Sequence, residues 1–524
     1  MMPERFPPID GTGEPSNPAI QLYGRRFYKD QTPVEYLAEF LLVFASPKGD
    51  EKSGAFKIAI GNSGGRATYL PEDRLALKLF SFFPGSKLDT RHEGHQNAYR
   101  QGLDDIKNRI SGSDDDKDQA VRLLQSLFSG FVGVAKNRTW VTYSFLPVSS
   151  AFLAREVTWN HPAALQNKRQ VDTSTWEGLA HYFDSATHNF LGRGGELLFL
   201  QLAHIFSEYL DSPAPDILPG EAYEHLKQLR LLDLRSAIEA GLAGILIGSV
   251  ESTEALALFT ESALSAVKLP ERKKTPTHLG WVPTSTVPES LLFAVEIRNV
   301  CLSNLSPLDK LELLQVLCVM QVMRSLCFQA SRYDSSVGNT DGFRGGYAWI
   351  CGNPDLTPSE AMRRISQSSI ERIESMLYRA LRSPKLNSGT SRPEVKDLKN
   401  GDDNCFRLFR KFAKDLGLVI PRTGPGQRFV LPPHLLRFLV AALLEPGEHI
   451  RLTEFYARVF AHYGIALGDR QLAVALAWGG APSGSRDYAV AADTRWIEET
   501  LLQGGFLVEL SDAVSIVHNP GARQ

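Results

Sequence analysis

Histidines and carboxylates are where a catalytic or metal-binding role would show first in this chain. RHEGH (91–95) sets His92 and His95 three apart around Glu93. Residues three apart share a helix face, so two imidazoles can meet one metal ion. The zinc-protease signature needs histidines four apart and a third ligand. Neither is present, and the run reads as the polar start of a helix. His181 and His188 flank HYFDSATH, with Asp184 the one carboxylate close by, and they read as ordinary surface or core histidines. SGSDDDKD (111–118) lacks the alternating ligands, turn glycine and distal Glu of an EF-hand. It reads as an exposed acidic loop. GNSGGR (61–66) has no G-K-[S/T] to cradle a phosphate. DGFRGGYAW (341–349) offers glycine amides and Arg344 to an anion, but an ordered loop with an aromatic anchor is the preferred reading. The chain has no G-x-G-x-x-G turn. No catalytic residue, metal or cofactor is therefore assigned.

A different chemistry is concentrated near the C-terminus. Residues 405–431 carry Arg407, Arg410, Lys411, Lys414, Arg422 and Arg428 against one acid, Asp415. Cations on a helix and an adjoining hairpin suit the phosphates of duplex DNA. Residues 495–519 reverse the sign, with Glu498, Glu499, Glu509 and Asp512 against Arg495. That balance suits a protein partner better than a polyanion.

Both sets of charges sit on one plan, used twice: amphipathic helix, glycine stop, short apolar strand, turn, second strand. In the first unit Phe406, Phe409 and Phe412 mark the buried face of the helix, Gly417 ends it, and Leu418–Ile420 and Arg428–Leu431 are the strands. In the second, Trp496, Leu501 and Leu502 mark the helix, Gly504 and Gly505 end it, and Phe506–Leu510 and Val514–Val517 follow. Gly417 and Gly505 hold equivalent places as stops that accept positive φ. A front half precedes the second unit: PHLLRFLVAALLEPG (433–447), LTEFYARVFAHYG (452–464) and DRQLAVALAW (469–478) each read as a helix. Here the chain resembles the winged-helix superfamily, over roughly 430–520 and, less completely, 307–431. That resemblance implies a DNA-contacting or protein-docking module.

The rest of the chain sets the frame. Its 524 residues are enough for several domains, and its formal net charge of −2 excludes polyanion binding by bulk charge. Helix formers dominate, so the expected class is mainly α and multi-domain, with small β-hairpins and C-terminal winged-helix units. Five scattered cysteines form no C-x-x-C pair and read as buried free thiols of a reducing cytoplasm. The N-terminus has no apolar signal region, and AGLAGILIGSV (240–250) is too short to span a bilayer. The expectation is a cytoplasmic protein with no membrane partner.

Thr32-Pro33-Val34-Glu35 and Ser306-Pro307-Leu308-Asp309 read as capped helix starts, and Thr357–Glu360 repeats the first pattern. The stretch 308–331 is apolar almost all round, as a central core helix is. FKIAI, GNSGGR and ATYL (56–70) suggest a strand pair, TWVTYSFLP (139–147) a strand, and 173–210 two helices broken at 191–196. Four prolines and a basic cluster make 269–288 the best linker. The expected division is 1–268, a linker at 269–288, a helical domain at 289–431 and a winged-helix-like domain at 432–524.

The tracts YGRRFYKDQTPVEYLAEFLLVF (23–44) and NRTWVTYSFLPVSSAFLAREVTWNHP (137–162) resemble those of large uncharacterised proteins of bacterial phage-defence operons. That resemblance implies an accessory subunit beside an ATPase, helicase or nuclease. The expectation is thus a non-catalytic adaptor that binds a protein partner and duplex DNA. A metal-dependent nuclease or hydrolase with dispersed carboxylates, which leaves no local signature, is the rival.

Overall fold

The computed structural model describes residues 4–8, 17–24, 27, 31–49, 54–63, 66–71, 93–129, 157–159, 174–175, 183–185, 194–248, 255, 258–259, 262–263, 276–334, 345–354, 360–386, 393–478, 494–510 and 514–521. The protein is mostly helical, with short strands. It divides into two compact bodies, each built from separated stretches. One comprises 1–29, 197–241 and 280–524; the other comprises 30–196 and 242–279. Part of the stretch expected to be a linker is strand: Thr277–His278 pairs with Arg66–Tyr69 in one body, and Val282–Pro283 pairs with Arg5–Phe6 in the other.

In the body containing 30–196, the helix Pro33–Ala45 opens on the expected capping box. Thr32 accepts from the Glu35 amide, and the Glu35 carboxylate accepts from the Thr32 amide. Its buried Glu39 receives Gln31 and the Gly195 amide, each at 2.8 Å. A Cβ on Gly195 would stand 2.4 Å from the Tyr36 carbonyl oxygen, so only glycine permits this approach.

Several sequence expectations here are corrected. Asp114–Asp118 are not loop but the first residues of the helix Asp114–Ser129, where Ser113 and Asp116 cap each other. Carboxylates in a first helical turn satisfy free amides and oppose the dipole favourably. The strand pair near 60 forms from Gly61–Ser63 and Arg66–Tyr69, while 56–60 stay irregular, with Phe56 at positive φ. Within the supposed helices of 173–210, Phe183–Ser185 is a strand paired with Val157–Trp159, and the helix begins at Gly194, inside the expected break. TWVTYSFLP, Thr357–Ser359, His92, His181 and His188 lie outside the described residues.

The body containing 280–524 is organised around the helix Pro307–Tyr333, capped by Ser306 as expected. It packs against Val287–Leu302, Glu360–Leu381, Phe406–Asp415 and Pro433–Leu443. It is long and apolar enough to cross a membrane, but 83% of its apolar window is buried within the protein. All five cysteines are free and buried.

The two helix–hairpin units differ in topology. In the second, Pro433–Leu443 is followed by the strand His449–Arg451, the helix Leu452–Tyr463, the strand Ile465–Ala466, the helices Asp469–Trp478 and Arg495–Gln503, then the strands Leu507–Leu510 and Val514–His518. The first of these strands pairs antiparallel with the last, which is central in the order His449–Arg451, Val514–His518, Leu507–Leu510. The first unit has two-residue strands, Val419–Ile420 and Arg428–Phe429. Its third strand contact is parallel, from Gly352 to Val430. Gly417 and Gly505 both have positive φ, at 70° and 74°.

Candidate nucleic-acid interface

The helix Phe406–Asp415 buries Leu408, Phe409, Phe412 and Ala413. Phe406 sits half-exposed against Tyr378. Phe409 and Phe429 close on the buried Trp349, with ring centroids 5.7 and 6.1 Å away. This aromatic cluster fixes the helix against its hairpin. It leaves Arg407, Arg410, Lys411 and Lys414 along the opposite side, at the spacing of successive helical turns.

The structure sorts these cations. Arg407 pairs with Asp403 at 2.5 Å, one turn back. Arg410 forms a two-pronged pair with Glu374, which raises its pKa through the hydrogen bonds. Lys411 lies over the Phe412 ring at 5.5 Å. Lys414 and Arg422 have no ion pair among the described residues, and Arg422 is exposed on the turn between the strands. Arg428 is half-buried; burial, then the neighbouring Arg363, pushes its pKa down.

The arginines of the helix Glu360–Leu381 divide in the same way. Arg364 pairs with Glu360 and Arg379 with Asp334. Arg382, just past the helix, pairs with Asp402 and lies 3.4 Å from the Tyr378 ring centroid. Arg363 and Arg372 remain exposed.

In the second unit Glu499 and Glu509 are exposed, Glu498 is half-buried, and Asp512 lies outside the described residues. Leu502, expected to face the core, is 49% exposed. The strand register shows a feature the sequence did not. Val508 stands opposite Ile516, and Leu510 opposite Val514, so these four side chains share the sheet face turned away from buried Leu507 and Val517. Val508, Leu510 and Val514 are 45%, 52% and 38% exposed. The outer face of this small sheet therefore carries an apolar patch, bordered on the same face by His449, Arg451 and His518.

A second feature missed in the sequence is a buried ionic network. Arg324 donates to both oxygens of Glu296 at 2.7 and 2.8 Å, and both side chains are fully buried. Glu296 also meets His462 Nδ1 at 2.7 Å, and His462 Nε2 meets His225 Nε2 at 3.1 Å. Burial opposes the charge on Glu296, but Arg324 and His462 together outweigh it and hold the carboxyl below its usual range. Burial lowers the pKa of both histidines, that of His225 to about 2. The ring centroids of the two histidines are 5.3 Å apart, so the facing nitrogens lie nearly on the line between the rings. That is the geometry of an N–H···N hydrogen bond, not of two nitrogens converging on a metal.

The signal was available: Glu296 and Arg324 are opposite charges flanked by apolar residues within two largely apolar helices. Such residues stay charged only when paired. What the sequence lacks is any indication that the two helices are neighbours or that His462 joins them. Among the described residues no group of three or more His, Cys, Asp or Glu side chains is arranged to hold a metal ion. Compared with protein-family models, curated proteins and solved structures, the chain matches none of them.

Proposed function

We propose that this chain is a cytoplasmic, non-catalytic adaptor of a bacterial multi-protein system of the phage-defence kind. It docks a protein partner, a subunit of an ATPase, helicase or nuclease, through 432–524, and contacts duplex DNA through 405–431. The observation that carries the reading is the strand order of the C-terminal unit. A strand placed between the first and second helices pairs with the last strand of the hairpin, a pairing that supports the winged-helix reading. The first unit departs from that arrangement in its parallel third contact, so its DNA role rests on its charge. Its surface helix and turn are basic, while the second unit offers acids and an apolar patch on its sheet. Winged-helix units serve both kinds of binding, and the contrast in charge assigns one to each.

The direct test is duplex binding by the full chain as a function of salt. Exchanging Lys411, Lys414 and Arg422 for Glu is expected to abolish binding, while Arg407→Gln, whose charge is already engaged by Asp403, weakens it less. Binding that ignores both salt and these substitutions sinks the DNA half. Failure of the full chain, as bait in lysate of its own host, to retain any partner sinks the adaptor half.

A further inference from the structure

The turn of the basic hairpin is pressed against the helix Glu360–Leu381. The Ser366 hydroxyl donates to the Phe429 carbonyl at 2.9 Å and sets the two elements in register. Arg363 and Gln367, four apart and so on one helix face, are thereby brought to the turn. Gly426 lies there at φ +76°, and Arg363 Nη2 and Gln367 Nε2 each stand 3.4 Å from where its Cβ would be. Arg428 follows two residues later, close enough to Arg363 that the two charges oppose one another. Among the described residues neither guanidinium has a carboxylate partner, although Arg364, Arg379 and Arg410 on and around the same helix are all paired.

Two guanidinium groups and an amide N–H stand together here, and among the described residues no carboxylate accepts from them. Like charges held side by side cost free energy until an anion lies between them. Guanidinium groups match the oxygens of phosphate better than any other side chain does.

We propose that Arg363, Arg428 and Gln367 form a phosphate-binding clamp beside the turn of the hairpin. The ligand is a phosphate group, supplied by the backbone of duplex nucleic acid or as a free anion. In its nucleic-acid form the clamp rests on the proposed DNA contact, and it extends that contact to the helix Glu360–Leu381. One phosphate held by both arginines would fix the hairpin's register on a duplex, with Lys414 and Arg422 reaching further phosphates.

The test uses the full chain with Arg363→Gln, Arg428→Gln and, as a control on the same exposed helix surface, Arg372→Gln. Two probes are measured: a short duplex across a salt series, and inorganic phosphate against chloride at matched ionic strength, read as Tm. Expected is duplex binding roughly tenfold weaker for either clamp variant at physiological salt. Its salt slope should be shallower by about 1, with Arg372→Gln like the parent. If the duplex binds with the same slope in parent and clamp variants, the clamp is overturned and the DNA contact stands. If the duplex does not bind but phosphate raises Tm only while both arginines are present, the clamp stands, its anion is free phosphate and the DNA contact falls. If neither probe responds, both fall.

Discussion

The two helix–hairpin units end their helices on equivalent left-handed glycines, yet they are secured by different forces and present different surfaces. The first is fixed by aromatic packing, Phe409 and Phe429 around Trp349, and two-residue strands suffice. The second has a three-stranded sheet, and its helix Leu452–Tyr463 is tied through His462 to a buried Glu296–Arg324 pair. Outside, the first shows cations, two of them already engaged by acids. The second shows acids and an apolar patch on its sheet. A shared backbone plan therefore says little about the ligand; the charge and the faces left uncovered distinguish the two.

The largest effect should come from breaking the buried pair. Arg324→Met leaves the Glu296 carboxylate without its cation and is expected to cost about 3–5 kcal/mol in urea unfolding. A loss under about 1 kcal/mol would mean that the pair does not hold the second unit as described. In the first unit, Phe409→Ala opens a cavity beside Trp349 and should cost about 3 kcal/mol or more. If that variant leaves duplex binding intact, the aromatic cluster is not what positions the basic helix.

Acid should separate the units next. His225 and His462 are neutral in the folded protein, with pKa values below the ordinary 6.5. Unfolded chains take up protons near pH 6.5 that the folded chain refuses, so this contribution is full above that pH and shrinks as pH falls toward about 2. Glu296, with its pKa lowered, adds a loss in the same direction below its unfolded value of about 4.5. Unfolding free energy should fall by about 1–2 kcal/mol between pH 7.5 and 5.5. His225→Phe should remove part of that dependence; an unchanged pH profile in the variant would rule His225 out as a source.

The smallest change in stability is expected on the outer face of the C-terminal sheet. Leu510→Lys, at a side chain 52% exposed, should alter stability by no more than about 0.5 kcal/mol. It should nevertheless weaken capture of the partner. Retained capture would move the docking surface elsewhere, to the acidic helix Arg495–Gln503.

Much of the local structure was legible. Thr32 and Ser306 cap the helices they were expected to cap, the core helix is buried as its apolar surround required, and Gly417 and Gly505 stop their helices at positive φ. Each depends on residues within a few positions of one another. The failures have two causes. Asp114–Asp118 read as loop because charge was weighed without the helix dipole that welcomes it. The strand Phe183–Ser185 depends on pairing with Val157–Trp159, which periodicity within 173–210 cannot reveal. Of the basic site, the residues were legible but their pairing was not: Glu374, which engages Arg410, is 36 positions away.

By itself, then, the sequence determined where the capped helices begin, where the two C-terminal helices stop, which helix is central, and the opposite charge of the two C-terminal units. Those are set by local backbone chemistry and composition. Tertiary structure alone decided which arginines are engaged and which remain available. It also joined Glu296, Arg324, His462 and His225, and brought Arg363 to Arg428. Electrostatic pairing acts across a few ångströms of space, and distance along the chain does not encode it.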